Sequence, residues 1–174
     1  MHVIESDPSL SKSGLYREIS VQLGGLFRGE RNGLANCANM SALLYQMLPD
    51  LNWVGFYFLQ DGELVLGPFQ GKVACVRIPM GRGVCGTAAE RGEILVVPDV
   101  NEFPGHIACD AASRSEIVLP LLQNGRLLGV LDLDSPYARR FDHEDSAGLA
   151  VAADLLLNSS DLSKLADDTR AHTP

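Results

Sequence analysis

At 174 residues the chain is long enough for one domain that buries roughly two-thirds of its unfolded surface without covalent staples. Hydrophobic residues make up 46% and charged residues 21%, an ordinary globular balance. A formal net charge of −8 and a pI near 4.9 argue against a nucleic acid or an anionic membrane as the main partner.

The stretch Met1 to Asp7 has no basic region followed by an apolar run, so no secretory leader is visible. No segment approaches the roughly 20 apolar residues of a membrane span. A cytoplasmic location is expected, where thiols stay free and a disulfide is catalytic more often than structural. Residues 1–10 read as a flexible arm, 11–160 as a single domain and 161–174 as a polar, frayed tail.

From Ser11 to Leu26, Leu15, Ile19, Leu23 and Leu26 recur at helical spacing, with Ser11 or Ser13 as the cap. A second helix is predicted from Gly33 to Met47, closed by Pro49. The period then changes. Trp53 to Leu59 is aromatic and β-branched, and Asp61-Gly62 turns it into a partner strand, Glu63 to Leu66. Val73 to Ile78 is predicted as a third strand, Gly83 to Arg91 as a short helix and Ile94 to Val97 as another strand. A second hairpin joins Glu116–Leu122 to Arg126–Leu133 through Asn124-Gly125, and a last helix follows Asp142. Residues 98–116 form a long polar loop of the kind that often carries function. The order predicts an α+β domain: a central antiparallel sheet, terminal helices on one face and a loop-rich ligand pocket on the other.

Three of the four cysteines, Cys75, Cys85 and Cys109, fall within 35 residues. Gly81-Arg82-Gly83-Val84-Cys85-Gly86 spells the dinucleotide fingerprint, but the alternating strand–helix order that gives it meaning is missing. A turn into a short helix explains those glycines better. Zinc knuckles need closely paired ligands, whereas Cys75 and Cys85 stand ten apart and Cys85 and Cys109 stand 24 apart. His106 and Cys109 have a metal-compatible offset without a second pair, so no metal is expected. A cysteine–histidine dyad with His106 or His143 as base lacks an orienting group and oxyanion donors. Redox chemistry asks only for an exposed thiolate and a second thiol able to reach it. Cys109, flanked by His106, Asp110 and Arg114, suits the nucleophile; Cys75 or Cys85 could resolve, and Cys37 reads as core packing. Small buried hydrophobes are the competing explanation for all of them.

Asp132 and Asp134 share one face of their strand, since side chains alternate with a period of two, and Leu131 and Leu133 take the other. Counting from Asn124-Gly125 pairs Glu116 with Leu133 or a neighbour, which gathers three acids at one end of the sheet. Such acids repel one another unless they hold a cation, a metal or a proton.

Several blocks together resemble the free methionine-R-sulfoxide reductases, which are single GAF-domain enzymes. They are Gly67-Pro68-Phe69-Gln70-Gly71-Lys72 ahead of Cys75, Ile78-Pro79-Met80-Gly81-Arg82-Gly83-Val84-Cys85-Gly86, Gly105-His106-Ile107-Ala108-Cys109-Asp110-Ala111-Ala112-Ser113, Ser115-Glu116-Ile117-Val118 and Gly129-Val130-Leu131-Asp132-Leu133-Asp134-Ser135. The resemblance runs from Asn52 to Leu155. It implies a thiol-dependent oxidoreductase that turns free L-methionine-R-sulfoxide into methionine. By the resemblance, Cys109 attacks the sulfoxide sulfur and becomes a sulfenic acid, Cys75 condenses with it, and thioredoxin restores the dithiol. Cys85 matches an auxiliary thiol. Glu116, Asp132 and Asp134 match acids that bind substrate and polarise the sulfoxide, and Trp53 and Tyr57 match aromatics around its methyl group.

The chemistry agrees. Sulfoxide oxygen leaves only when protonated or strongly hydrogen-bonded, and crowded acids provide a carboxyl with a raised pKa. Glu116 is assigned the proton donor, with Asp134 beside it. No cofactor is expected, and the long N-terminal helices suggest a homodimer. The alternative function is a non-catalytic GAF module that senses a small ligand and uses its cysteines as redox switches.

Overall fold

The computed structural model describes residues 9–105 and 112–166. Helix α1 (Lys12–Leu26) starts where Ser11 Oγ accepts from the Gly14 N–H at 3.2 Å, and α2 (Gly33–Met47) starts where Asn32 Oδ1 accepts from Ala35 N–H at 3.1 Å. Strands β1 (Trp53–Gln60), β2 (Glu63–Gly71) and β3 (Arg77–Pro79) follow, then helix α3 (Gly83–Arg91) and strand β4 (Leu95–Val97). A 3₁₀ turn at Val100–Glu102 leads towards the hairpin β5 (Ser115–Gln123) and β6 (Arg126–Ser135), and α4 (His143–Ser159) closes the fold.

The six strands form one antiparallel sheet in the order β3-β2-β1-β6-β5-β4. Both hairpin turns take positive φ at both central residues: Asp61 and Gly62 at 50° and 80°, Asn124 and Gly125 at 53° and 75°. That is the geometry a two-residue turn needs to match the twist of its strands. Strand alternation then divides the core. Val54, Phe56, Phe58, Ile117, Leu119, Leu131 and Leu133 face α1, α2 and α4, while Trp53, Tyr57, Val118 and Val130 face α3. The expected arrangement, helices on one face and a pocket on the other, is observed.

A buried polar knot joins the two ends of the fold. Asp145, fully buried on α4, accepts from Tyr16 Oη at 2.8 Å, Lys12 Nζ at 2.7 Å and Arg140 Nη1 at 3.0 Å. It also completes a capping box with Asp142.

Two expectations need correction. The third strand does not span Val73 to Ile78: β3 begins at Arg77, and Val73 and Val76 are exposed. The β2–β3 ladder ends where Leu66 N–H donates to Val76 O at 3.0 Å; Pro68, two residues further, has no N–H to continue it. Nor is the segment after Ser160 wholly loose. Leu162 and Ala166 are buried in the helical core, Asp161 N–H donates to Arg31 O, and Gln60 Nε2 donates to Leu165 O. Apolar residues at those two positions outweigh the polar composition around them. Among the described residues, no helix is long and apolar enough to cross a membrane.

Candidate active site

The pocket floor is the middle of the sheet. Register places Trp53 of β1 opposite Asp134 of β6, and Asp134 opposite Glu116 of β5, so three side chains stand in one row across three strands. The next row on that face is Gly55, Asp132 and Val118, and Tyr57 follows. Gly55 must lack a side chain, because a Cβ there would sit 2.6 Å from the Trp53 ring. Trp53 stacks with Tyr57 at 5.9 Å between centroids and with Phe69 at 5.4 Å.

Both aromatics also hold the outward excursion between β2 and β3. Trp53 Nε1 donates to Lys72 O and Tyr57 Oη to Cys75 O, each at 3.1 Å. The excursion contributes Val73 and Ala74 to the pocket wall.

The first turn of α3 forms the opposite wall. Its three glycines have backbone causes: Gly81 and Gly83 lie at φ 72° and 61°, and a Cβ on Gly86 would strike the carbonyl of Pro79. The letters of a dinucleotide loop therefore serve a tight entry into a helix. That entry aims Cys85 at the acids, and its Sγ donates to Glu116 Oε1 at 3.8 Å.

Glu116 and Asp132 are each 6% exposed. Burial is the first cause that lifts the Glu116 carboxyl well above the ordinary range, and the charges of Asp132 and Asp134 add to it. Burial pushes Asp132 up to about 7, partly offset by hydrogen bonding with Cys85 and Glu116. The Cys85 thiol is also pushed up by burial, then by Asp132 and Glu116, so it is held protonated. Among the described residues, Asp132 Oδ1 has no hydrogen-bond partner. The site can thus offer a proton from one carboxyl and still present acceptors to a cation.

Trp53, Tyr57, Cys85, Glu116, Asp132 and Asp134 all line this one cavity. Cys75 packs at its margin, with its carbonyl held by Tyr57, and is disulfide-bonded. Cys37 is a free thiol in the helical core, pushed up to about 12 by burial, as core packing requires. His106, Cys109 and Asp110 lie outside the described residues. His143 is the first residue of α4, in the layer on the far side of the sheet.

Sequence reasoning did not select Arg82, Gly83, Val84 or Ser113 as pocket residues. The first three were visible as a glycine turn opening a helix, which leaves N–H groups free to face an anion. Ser113 carried no local signal; it is placed by the hydrogen bond it accepts from Asn52 Nδ2 at 3.0 Å.

Comparison with known proteins adds to this geometry. The GAF domain family model matches residues 25–159, more than half of the chain. The chain is 56% identical over 140 residues to the free methionine-R-sulfoxide reductase of Escherichia coli, covering 80% of this chain and 85% of that one. It is 45% identical over 159 residues to the Saccharomyces cerevisiae enzyme of the same name, covering 87% and 88%. The crystal structure of the Neisseria meningitidis free methionine-R-sulfoxide reductase with its substrate superposes with a TM-score of 0.88 at 44% identity, covering 95% of this chain and 99% of that one. The chain belongs to the free methionine-R-sulfoxide reductase family of GAF domains.

Proposed function

We propose that this pocket reduces free L-methionine-R-sulfoxide to L-methionine by thiol chemistry. The observation that carries it is the acid trio, Glu116 and Asp132 buried and Asp134 half-buried, set beside thiols on an aromatic floor. The acids meet two needs of the substrate, a proton for the sulfoxide oxygen and a counter-charge for the ammonium group. The first turn of α3 meets the third, a dipole end for the carboxylate. Trp53 and Tyr57 give the S-methyl group an apolar surface.

In the proposed sequence Cys109 attacks sulfur as a thiolate while Glu116 delivers a proton to the oxygen. Methionine leaves, and the oxygen stays on Cys109 as a sulfenic acid. The Cys75 thiol then displaces that oxygen as water, and the two sulfurs are joined. Cys75 is disulfide-bonded while Cys85 is a free thiol, which supports Cys75 over Cys85 as the resolver. A dithiol reductant of the thioredoxin class, with a potential near −270 mV, suits the return step. Val21 of α1 and Val151 of α4 are exposed apolar residues on neighbouring helices, which supports a homodimer formed there.

The test is direct. Purified protein with racemic methionine sulfoxide and dithiothreitol should yield methionine and consume only the R epimer. Cys109→Ser should release none and lose no thiol on substrate addition. Absence of methionine from the wild-type protein would end the proposal.

A further inference from the structure

We propose that Cys85, Glu116 and Asp132 form a binding site for a zinc-class divalent cation inside the pocket, and that the bound ion excludes substrate. One sulfur and two carboxylate oxygens from these residues lie within 4.8 Å of one another, all three residues being buried. Cys85 Sγ and Glu116 Oε1 are 3.8 Å apart. The sulfur–oxygen edge of a zinc tetrahedron is about 3.6 Å, given bonds of about 2.3 Å to sulfur and 2.1 Å to oxygen. The Cys85–Glu116 edge is therefore already close to that of the coordination polyhedron.

A second observation points to a ligand independently of that spacing. Asp132 is 6% exposed, yet its Oδ1 has no hydrogen-bond partner among the described residues. A buried acceptor of this kind is costly unless something binds it. A substrate ammonium would satisfy it, but an ammonium has no use for the sulfur. A metal ion would use the oxygen and the thiol together.

Chemistry narrows the ion. A thiolate vertex disfavours magnesium and calcium, which take oxygen ligands, and favours zinc and its relatives. Three protein ligands leave a fourth position facing the cavity, as in zinc sites that exchange water. The ligands come from α3, β5 and β6, elements already locked by the sheet and its helix. When the ion binds, a zinc–sulfur bond replaces the Cys85 S–H bond and a zinc–oxygen bond replaces the Glu116 carboxyl O–H bond; both protons pass to buffer, with no change in oxidation state. The metal site does not depend on the reductase proposal; only the exclusion of substrate rests on it.

The experiment uses the full chain, reduced with a phosphine and freed of metal. Zinc is titrated against a chromophoric chelator, and cobalt is followed by its sulfur-to-metal charge-transfer band. Wild-type protein and Cys75→Ser/Cys109→Ser should each bind one zinc per chain and show the band. Cys85→Ser and Asp132→Asn should bind at least tenfold more weakly, and Cys85→Ser should lose the band; circular dichroism confirms that each variant is folded. Glu116→Gln, which keeps the thiol, should also bind at least tenfold more weakly. A band that persists in Cys85→Ser, or vanishes in Cys75→Ser/Cys109→Ser, would overturn the assignment, as would equal affinity in all variants. Zinc should raise the apparent KM for the sulfoxide; binding without inhibition would overturn the exclusion. Zinc bound by a protein that never forms methionine would sink the reductase proposal and leave the metal site standing.

Discussion

Tyr57 Oη donates a 3.1 Å hydrogen bond to the backbone carbonyl of Cys75, so a residue of the pocket floor fixes the position of a cysteine at its margin. If Cys75 resolves the sulfenic acid, this bond sets where the incoming sulfur starts. Tyr57→Phe keeps the ring stacked on Trp53 and removes only the tether. Losing a bond of about 1 kcal/mol should slow thioredoxin-driven turnover several-fold. The single-turnover release of methionine, which precedes resolution, should be unchanged. Cys75→Ser should take this to the limit: one methionine per site in the first turnover and no sustained cycling. Steady-state and rapid-quench measurements on the same preparations separate the two steps.

Glu116→Gln should lower kcat about 10²- to 10⁴-fold, the usual loss for a general acid, with a smaller change in substrate affinity. The wild-type profile should fall on its alkaline side as pH rises through the raised Glu116 pKa, because only the protonated carboxyl donates. That limb should vanish in the variant. A limb that survives unchanged would assign the proton to another group.

Asp132 links the site to stability. Its carboxyl is held near pH 7 in the folded chain against 3.8 for the free group. The native state therefore binds more protons than the unfolded one between those values. The stabilising effect is complete below about pH 3.8 and is lost as pH rises through about 7. At pH 8 the buried charge costs the fold on the order of 4 kcal/mol, taken as an upper bound. Asp132→Asn should raise Tm at pH 8, flatten its decline between pH 4 and 7, and abolish substrate binding. Calorimetry across pH checks the first two and ligand titration the third.

Asp145→Ala should destabilise the fold by roughly 3–5 kcal/mol, since Arg140 and Tyr16 would be left with buried, unanswered donors. Asp145→Asn, which keeps an acceptor, should cost less. Urea unfolding measures both. The KM of the protein that remains folded should not change, because the knot lies on the far side of the sheet from the pocket.

The acid cluster was legible because two local rules suffice for it: alternation along one strand and the register set by Asn124-Gly125. The observed pairing of Glu116 with Asp134 follows from both. The two N-terminal helices were legible through apolar spacing and, for the first, the Ser11 cap; the Asn32 cap of the second went unread. Cys85 was a different case. It reaches Glu116 across 31 residues of chain because α3 lies over the sheet face, and no local pattern encodes that docking. The outward path of Lys72 to Val76 was misread because Val73 and Val76 have strand-like chemistry, yet they face solvent. Leu162 and Ala166 were lost in a polar stretch for the converse reason: two apolar residues were enough to dock it.

The row Trp53–Asp134–Glu116 spans three central strands, each flanked on both sides by another. Adjacent strands sit about 4.8 Å apart, and a shift in that spacing would break the ladder. The row is thus a ruler ruled by backbone, insensitive to side-chain repacking. Against a fixed ruler, substrates differ by chain length: a sulfoxide one methylene shorter or longer than methionine's would put its sulfur off the mark while its amino and carboxylate ends stayed seated.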